Sequence, residues 1–213
     1  MHVQYKRIMD ISRSIYPGMV KWPGDQGFEV NRECTLEKGN VCNLSSVRMS
    51  VHTGTHVDAP FHFIAGGTTV AELDLSRFIG VARVFEINVQ LCITGSDIEQ
   101  LPIKENDIVL FKTSNSLIPY DGEFHKDYVY MDVSAAKYLI DKRIKAVGVD
   151  YLSIDGFYTE DYAVHKLLLS KGVGIIEGLM LKDVAEGSYF LSCLPLKLEG
   201  ADGSPVRAVL LEI

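Results

Sequence analysis

The sequence lacks features that would place the chain in several large classes of protein. No apolar run approaches the roughly 18 residues of a membrane-spanning helix, and the N-terminal stretch has no apolar core or cleavage site of a signal peptide. Acidic residues outnumber basic ones, 28 to 21, giving a net charge of −7 without a dense Lys/Arg block. We therefore expect a cytoplasmic protein that binds neither nucleic acid nor a membrane surface.

Cysteine is also scarce and scattered along the chain. The four cysteines form no C-x-x-C pair, so the sequence predicts neither a zinc knuckle nor a disulfide framework. We expect four reduced and mostly buried thiols. Internal repeats and Pro/Gly/Ser linkers are absent as well. With 47% hydrophobic residues over 213 positions, the sequence predicts a single domain spanning residues 1–213.

The spacing of apolar residues predicts an α/β fold with a mixed β-sheet core. The N-terminal half favours strands and loops, whereas strands and helices alternate in the second half. The predicted helices are Asp132–Arg143, with Asp132 as a cap, and Tyr162–Lys171, closed by Gly172. The predicted strands are Val41–Val51, Gly80–Val89, Asp107–Lys112, Ile144–Val149, a strand that begins at Ile175, Gly187–Leu198 and Pro205–Glu212.

Three of the six histidines fall in one segment, which reads H-T-G-T-H-V-D-A-P-F-H. Its candidate metal ligands and acid–base groups are His52, His56, Asp58 and His62. A zincin helix is excluded because Gly54 and Pro60 would interrupt it. All four candidates occupy even positions, so an extended backbone would place them on one side, and Gly54 can let the backbone turn where a Cβ atom would obstruct it. Two imidazoles and a carboxylate there suit Zn²⁺, Mn²⁺ or Fe²⁺. The alternative is three ordinary histidines and an aspartate in a turn.

A second group of candidate ligands lies about a hundred residues further along the chain. Glu177 interrupts an apolar run, and a buried carboxylate is costly unless it is paired or binds a metal. The alternative is that Glu177 lies at the end of a strand and reaches water. A helix, a glycine turn and a strand would return Glu177 close to His165. A second metal beside the first could then share Asp58 as a bridging ligand.

Taken together, these residues resemble a known family, the metal-dependent cyclase-like hydrolases, which include the bacterial kynurenine formamidases (arylformamidases). The resemblance covers nearly the whole chain. Beyond the histidine segment, it rests on Asp10-Ile-Ser12, Trp22-Pro-Gly-Asp25, Val147-Gly-Val-Asp150, Ser153 with Asp155, Ile176-Glu177-Gly178-Leu179, Leu194-Pro-Leu-Lys197 and Ser204-Pro-Val-Arg-Ala-Val209.

The resemblance implies a role for each candidate residue. It implies that His52, His56 and Asp58 hold a first divalent metal, and that Asp58, His165 and Glu177 hold a second, with Zn²⁺ or Mn²⁺ in each. It also implies that His62 is the proton donor and acceptor and that Trp22 touches the substrate. A swivelling β/β/α-type fold and a homo-oligomer, commonly a dimer, are further implications.

The activity implied is hydrolysis of N-formyl-L-kynurenine to L-kynurenine and formate in tryptophan degradation, by metal-activated water. One departure concerns the pocket, because Tyr151-Leu152 follows Asp150 where the formamidases usually carry Thr-Pro. This predicts a bulkier, flatter pocket wall.

Two other functions remain open. The first is hydrolysis of another aryl or cyclic amide, such as an isatin-like compound, or of a lactone. The second is a protein that binds a metal or ligand without turnover, although a free acid–base group such as His62 favours catalysis. Nucleophilic catalysis by a serine or a cysteine finds no support in the sequence. No G-x-S-x-G elbow occurs, and no local motif supports a catalytic cysteine.

Overall fold

The computed structural model describes residues 4–213 of the chain. Within this range the strands are β1 (Arg7–Asp10), β2 (Glu29–Cys34), β3 (Leu44–Arg48), β4 (His56–Asp58), β5 (Ile79–Glu86), β6 (Cys92–Ile93), β7 (Ile108–Lys112), β8 (Tyr130–Met131), β9 (Ala146–Val149), β10 (Gly174–Glu177), β11 (Gly187–Ser192), β12 (Gly203–Pro205) and β13 (Val209–Glu212). The α-helices are α1 (Gly95–Ile98), α2 (Val133–Asp141) and α3 (Ala163–Ser170). Short 3₁₀ helices cover Leu36–Lys38, Pro60–His62, Val70–Glu72, Leu75–Arg77 and Ser114–Leu117.

A nine-stranded mixed sheet organises the fold, in the order β1-β13-β11-β5-β7-β9-β10-β4-β12. The four strands β5, β7, β9 and β10 run parallel, and the remaining pairs are antiparallel. Strands β9 and β10 are buried along their whole length, as expected for parallel strands covered on both faces. The α/β class and the mixed sheet predicted from the sequence are confirmed.

Two hydrophobic clusters cover the two faces of these parallel strands. Side chains alternate along a strand, so Val109 and Phe111 face one cluster whereas Ile108 and Leu110 face the other. The first cluster includes the buried faces of α2 and α3. The second is built with the C-terminal strands. Helix α3 is thereby held against the end of the sheet where β10 and β4 pair.

Helix caps explain where the predicted helices begin and end. Asp132 accepts a hydrogen bond from the backbone N–H of Ala135, 3.0 Å away, which confirms its role as the cap of α2. Gly172, which follows α3, has a φ of +70°, the left-handed conformation that glycine adopts readily at a helix end. Both helices are shorter than predicted by one to two residues at each end.

The structure corrects the prediction for the C-terminal strands. The predicted strand Pro205–Glu212 is wrong, because the chain changes partners within it. Strand β12 pairs with β4 at one edge of the sheet, whereas β13 pairs with β11 and β1 near the other. The strand predicted over Gly187–Leu198 ends at Ser192, and Pro195 beyond it forms only an isolated β-bridge with Val206.

The cysteines bear out one expectation drawn from composition and contradict another. All four cysteines lie within residues 4–213 and are unpaired, as predicted. The expectation that most are buried is wrong, since only Cys193 is buried and Cys42 is exposed. No helix in the described part of the chain is long and apolar enough to cross a membrane.

Candidate metal centre

Turns, rather than a continuous extended segment, gather the histidine motif. Only His56 to Asp58 form a strand, so the prediction that all four candidates share one side of an extended backbone is wrong. Gly54 has a φ of +69°, and His62 ends a 3₁₀ helix that Pro60 begins. These two bends bring His52 and His62 next to each other, beside His56 and Asp58. The His52 and His62 rings stack with centroids 4.0 Å apart.

The first group of ligands surrounds one oxygen of Asp58. Asp58 Oδ1 lies 3.0 Å from His52 Nδ1 and 3.5 Å from His56 Nε2. His56 donates its other ring proton, on Nδ1, to the carbonyl oxygen of Gly54 at 3.0 Å. A backbone acceptor of this kind fixes the tautomer of a metal-binding histidine and leaves Nε2 free as the ligand. The three residues therefore present converging donor atoms, as the sequence predicts.

The second group forms because β10 pairs antiparallel with β4, which places Glu177 opposite His56. His165 reaches this point from α3. Its Nε2 lies 3.1 Å from Glu177 Oε1 and 3.3 Å from Asp58 Oδ2. The predicted return of Glu177 to His165 is confirmed. The alternative that Glu177 reaches water is wrong, because this residue is only 3% exposed.

Asp155 fixes the direction of His165. Its carboxylate accepts the Nδ1 proton of His165 at 2.6 Å. It also accepts the backbone N–H groups of Val164 and His165 at the start of α3, at 3.2 and 2.9 Å. One carboxylate therefore anchors the helix and turns the ring so that Nε2 points at Asp58 and Glu177. Sequence reasoning assigned no role to Asp155.

The pKa shifts in the site are those expected where protons and a metal cation compete for the same ligands. Burial would lower the pKa of His52, but hydrogen bonds to Asp202 and Asp58 raise that pKa to about 10. Burial likewise opposes protonation of His165, yet Asp155, Asp58 and Glu177 hold its pKa well above the usual range. Burial would raise the pKa of Asp58, but the neighbouring imidazoles hold it well below. Protons on His52 and His165 thus take the place that a metal bound to these rings would take.

The donor set fits a divalent metal. Asp58 is almost fully buried, and its Oδ2 accepts no well-aligned hydrogen bond among the described residues, although His165 Nε2 lies 3.3 Å away. An ionised buried oxygen without a partner is costly, and a cation there would satisfy it. Imidazole with carboxylate is a donor set that suits Zn²⁺ and Mn²⁺. Asp58 belongs to both of these ligand groups, so the two groups lie side by side.

A cavity of about 260 Å³ opens over these residues. Besides the histidines and Glu177, it is lined by Trp22, Phe63, Leu152 and Tyr162. Trp22 packs against Phe157 and Phe124 behind it. A larger cavity of about 550 Å³ is lined by residues such as Tyr130 and Tyr158 and contains no histidine. The smaller cavity is the candidate site because it alone of the two carries the histidine cluster.

The unusual Tyr151-Leu152 pair contributes one residue to this cavity, not two. Leu152 lines the cavity. Tyr151 is buried away from it and stacks on Tyr128 at 4.4 Å between ring centroids. Its hydroxyl donates to the carbonyl oxygen of His125 at 3.0 Å. The predicted change in the pocket wall therefore reduces to Leu152.

Sequence reasoning missed Asp202, which contacts two of the predicted residues. Its Oδ2 lies 2.9 Å from His52 Nε2 and 3.1 Å from His62 Nδ1. Asp202 stands 140 residues from His62 in the sequence. It lies in an Ala-Asp-Gly stretch that reads as a simple turn, so no local signal could have revealed it.

The fold and the site define a class: an α/β protein with a buried carboxylate–histidine centre that could hold a divalent metal. The model of the Cyclase family, described as "Putative cyclase", matches residues 9–156. A kynurenine formamidase of Salinibacter ruber is 40% identical over 207 residues, covering 95% of this chain and 96% of that protein. The chain belongs to this cyclase family.

Solved structures with the same fold extend the comparison. A "predicted metal-dependent hydrolase" from Bacillus stearothermophilus is 39% identical, with a TM-score of 0.85, and the match covers 97% of this chain and 98% of that one. Isatin hydrolase A from Labrenzia aggregata is 25% identical, with a TM-score of 0.79 and coverage of 97% and 93%. The family resemblance expected from the sequence is confirmed.

Proposed function

We propose that the chain is a metal-dependent amide hydrolase, an arylformamidase that converts N-formyl-L-kynurenine to L-kynurenine and formate. The observation that carries the proposal is that Asp58 belongs to two converging ligand groups, whose other members line an aromatic-walled cavity together with His62. Full-length similarity to kynurenine formamidases supports the same substrate.

The proposed metal ligands are those expected from the sequence. His52, His56 and Asp58 would hold one Zn²⁺ or Mn²⁺, and Asp58, His165 and Glu177 would hold another, with Asp58 bridging. When bound, such a cation supplies Lewis-acid chemistry, lowering the pKa of water toward about 7 and stabilising negative charge on a carbonyl oxygen. The ring partners of the histidines, Gly54 and Asp155, orient these ligands.

His62 is proposed to move the protons of the reaction. Its hydrogen bond to Asp202 engages Nδ1, which leaves Nε2 as the nitrogen available to substrate and water in the cavity that His62 lines. Water adds its oxygen to the formyl carbon as His62 takes a proton from it. The C–N bond then breaks, and the proton passes to the departing arylamine nitrogen. The products are the free arylamine and formate.

The aryl part of the substrate is proposed to lie against Trp22. The indole is partly buried, lines the cavity and is backed by Phe124 and Phe157, with ring centroids 5.2 and 5.5 Å away. Aromatic side chains held in this way offer a rigid flat surface for a planar ligand. Phe63 and Tyr162, whose ring centroids are 5.0 Å apart, form a further aromatic part of the cavity wall.

Hydrolysis of a cyclic aryl amide is the second candidate function, and the structural similarity to isatin hydrolase A favours it. Product analysis separates the candidates. An arylformamidase releases formate and L-kynurenine from N-formyl-L-kynurenine, whereas an isatin-type hydrolase opens the ring of isatin and releases no formate. Turnover of isatin without formate release from N-formyl-L-kynurenine would replace the first proposal by the second. Stoichiometric metal binding without turnover of either would leave a binding protein.

We also propose that the chain works as a homodimer, that residues 1–213 form a single domain and that the protein is cytoplasmic. The β2–β3 hairpin is exposed on both faces and carries Val30, Leu44 and Val47 at its surface. An isolated two-stranded hairpin is marginal in water, so a second copy covering it would stabilise it. Light scattering on the purified protein tests the dimer, and a monomer at micromolar concentration would contradict it.

The proposed cytoplasmic location agrees with the unpaired cysteines, which are expected in a reducing compartment.

A further inference from the structure

One carboxylate joins a proposed metal ligand to the proposed proton carrier. Asp202 Oδ2 accepts the Nε2 proton of His52 at 2.9 Å and the Nδ1 proton of His62 at 3.1 Å. The two imidazoles stack at 4.0 Å between centroids, with an angle of 28° between their planes. One carboxylate oxygen thus accepts a hydrogen bond from each of the two stacked rings.

The backbone around Asp202 is built to bring the carboxylate to this position. Its carbonyl oxygen accepts the N–H of Ala59 at 2.9 Å, and the next residue, Gly203, pairs with Asp58 across the β4–β12 ladder. A Cβ atom on Gly203 would lie 2.7 Å from His52 Cε1 and 3.0 Å from the carbonyl oxygen of Val57. Glycine is therefore needed for the chain to pass this close to the His52 ring.

The consequence for His52 is a fixed tautomer. A neutral imidazole carries one proton, and the nitrogen that carries it cannot bind a metal. Because Asp202 accepts the proton on Nε2, a metal that displaces the Nδ1 proton would find the lone pair on Nδ1. That nitrogen is the one 3.0 Å from Asp58 Oδ1, inside the first ligand group. Carboxylate partners of this kind orient a histidine ligand and raise its affinity for the metal.

The same carboxylate has a matching effect on His62. Accepting the Nδ1 proton leaves the lone pair on Nε2, where a neutral imidazole can take a proton from water. Nothing else among the polar contacts of His62 in the described residues engages Nδ1. Without Asp202 the ring could rotate or exchange tautomers, and the productive form would be only part of the population.

We propose that Asp202 is a positioning residue that sets the tautomers of both His52 and His62, so that one side chain couples metal binding to proton transfer. The His62 half of this assignment rests on the proposed function. The His52 half depends on metal binding alone. Asp202 itself need not touch the substrate, and its side chain is 38% exposed, so its replacement leaves the core intact.

The test compares Asp202→Ala and Asp202→Asn with the wild-type protein. Glu199→Ala is the matched control because it removes a negative charge from an exposed residue three positions earlier. Long-range ¹H–¹⁵N spectra of the Zn²⁺-loaded proteins report which ring nitrogen of each histidine carries the proton. Zn²⁺ affinity is measured by competition with a chelator, and kcat and KM are measured at saturating Zn²⁺.

In the wild type we expect a proton on Nε2 of His52 and on Nδ1 of His62. In Asp202→Ala we expect mixed tautomers for His62 and Zn²⁺ affinity lower by about 10- to 100-fold. We also expect kcat for the arylformamide to fall by about tenfold or more at little-changed KM. Asp202→Asn keeps an oxygen acceptor, so its Zn²⁺ affinity and kcat should lie between those of the wild type and those of Asp202→Ala. Unchanged tautomers and Zn²⁺ affinity in Asp202→Ala, or equal losses in Glu199→Ala, would overturn the proposal.

Failure of this inference and failure of the proposed function give different results. If the wild type releases no formate, the arylformamidase proposal fails, but the His52 tautomer and the Zn²⁺ affinity still decide for or against Asp202. If the wild type is active and Asp202→Ala matches it in every measurement, the Asp202 assignment fails and the proposed function stands.

Discussion

Replacement of Asp58 by asparagine should empty both metal positions at once. Asp58 is the one residue common to the two ligand groups that contain His56 and Glu177. Its Oδ1 faces the first group, 3.0 Å from His52, and its Oδ2 faces the second, 3.3 Å from His165. Asparagine has nearly the same shape, but it carries no charge and has only one oxygen.

The expected loss of metal affinity follows from the number of ligand residues in each group. Protein sites for zinc use three or four ligand residues, and each group here supplies three. Asp58→Asn removes the only carboxylate of the first group and one of two from the second. Loss of a direct ligand should exceed the 10- to 100-fold cost of losing an outer partner, so we expect affinity to fall by more than about 100-fold at both positions.

Glu177→Gln provides the comparison that makes the result specific. It removes a carboxylate of similar burial from the second group only. Elemental analysis after dialysis against a weak chelator should find two Zn²⁺ per chain in the wild type, one in Glu177→Gln and none in Asp58→Asn. Circular dichroism checks that all three are folded. Two metals retained in Asp58→Asn, or equal loss in both variants, would refute the bridging role.

The other predictions concern His62, His52 and Trp22. His62→Ala should retain both metals and lose on the order of 10²-fold or more in kcat, and an unchanged rate would remove His62 from the mechanism. In metal-free protein His52 has a pKa raised to about 10 against about 6.5 when unfolded, so its stabilisation is complete below pH 6.5 and disappears as the pH rises through 10. The melting temperature with chelator present should therefore fall over this range in the wild type and fall less in His52→Gln, and equal profiles would contradict the assignment. Trp22→Ala should raise KM by about tenfold or more with kcat little changed, whereas a pure loss of kcat would argue against a substrate wall.

The sequence predicted the ligand set because each group contains a local signal. Histidines at close spacing, and a carboxylate inside an apolar run, are unusual enough to identify His52, His56, Asp58 and Glu177 as candidates. The partnership of His165 with Glu177 also followed from local order, since a helix, a glycine turn and a strand form a compact return. The structure brings together all the predicted ligands.

The sequence could not predict the path of the backbone or the partners from distant segments. The left-handed conformation of Gly54 agrees with the turn that glycine permits there, but the 3₁₀ helix that ends at His62 was not predicted. Asp202 reaches His62 only because β12 adds to the edge of β4. Pairing between strands that are so far apart in the chain depends on the register of the whole sheet, which local patterns do not contain. The break between β12 and β13 escaped prediction for the same reason.

The most direct test of the account is formate release from N-formyl-L-kynurenine by protein loaded in turn with Zn²⁺ and Mn²⁺. The controls are the chelated protein and Asp58→Asn. We predict one formate and one L-kynurenine per substrate, rapid turnover with at least one metal, and loss of turnover in both controls. Turnover that survives chelation and the Asp58→Asn replacement would contradict a metal-dependent hydrolase. Full metal occupancy without formate release would contradict the arylformamidase assignment.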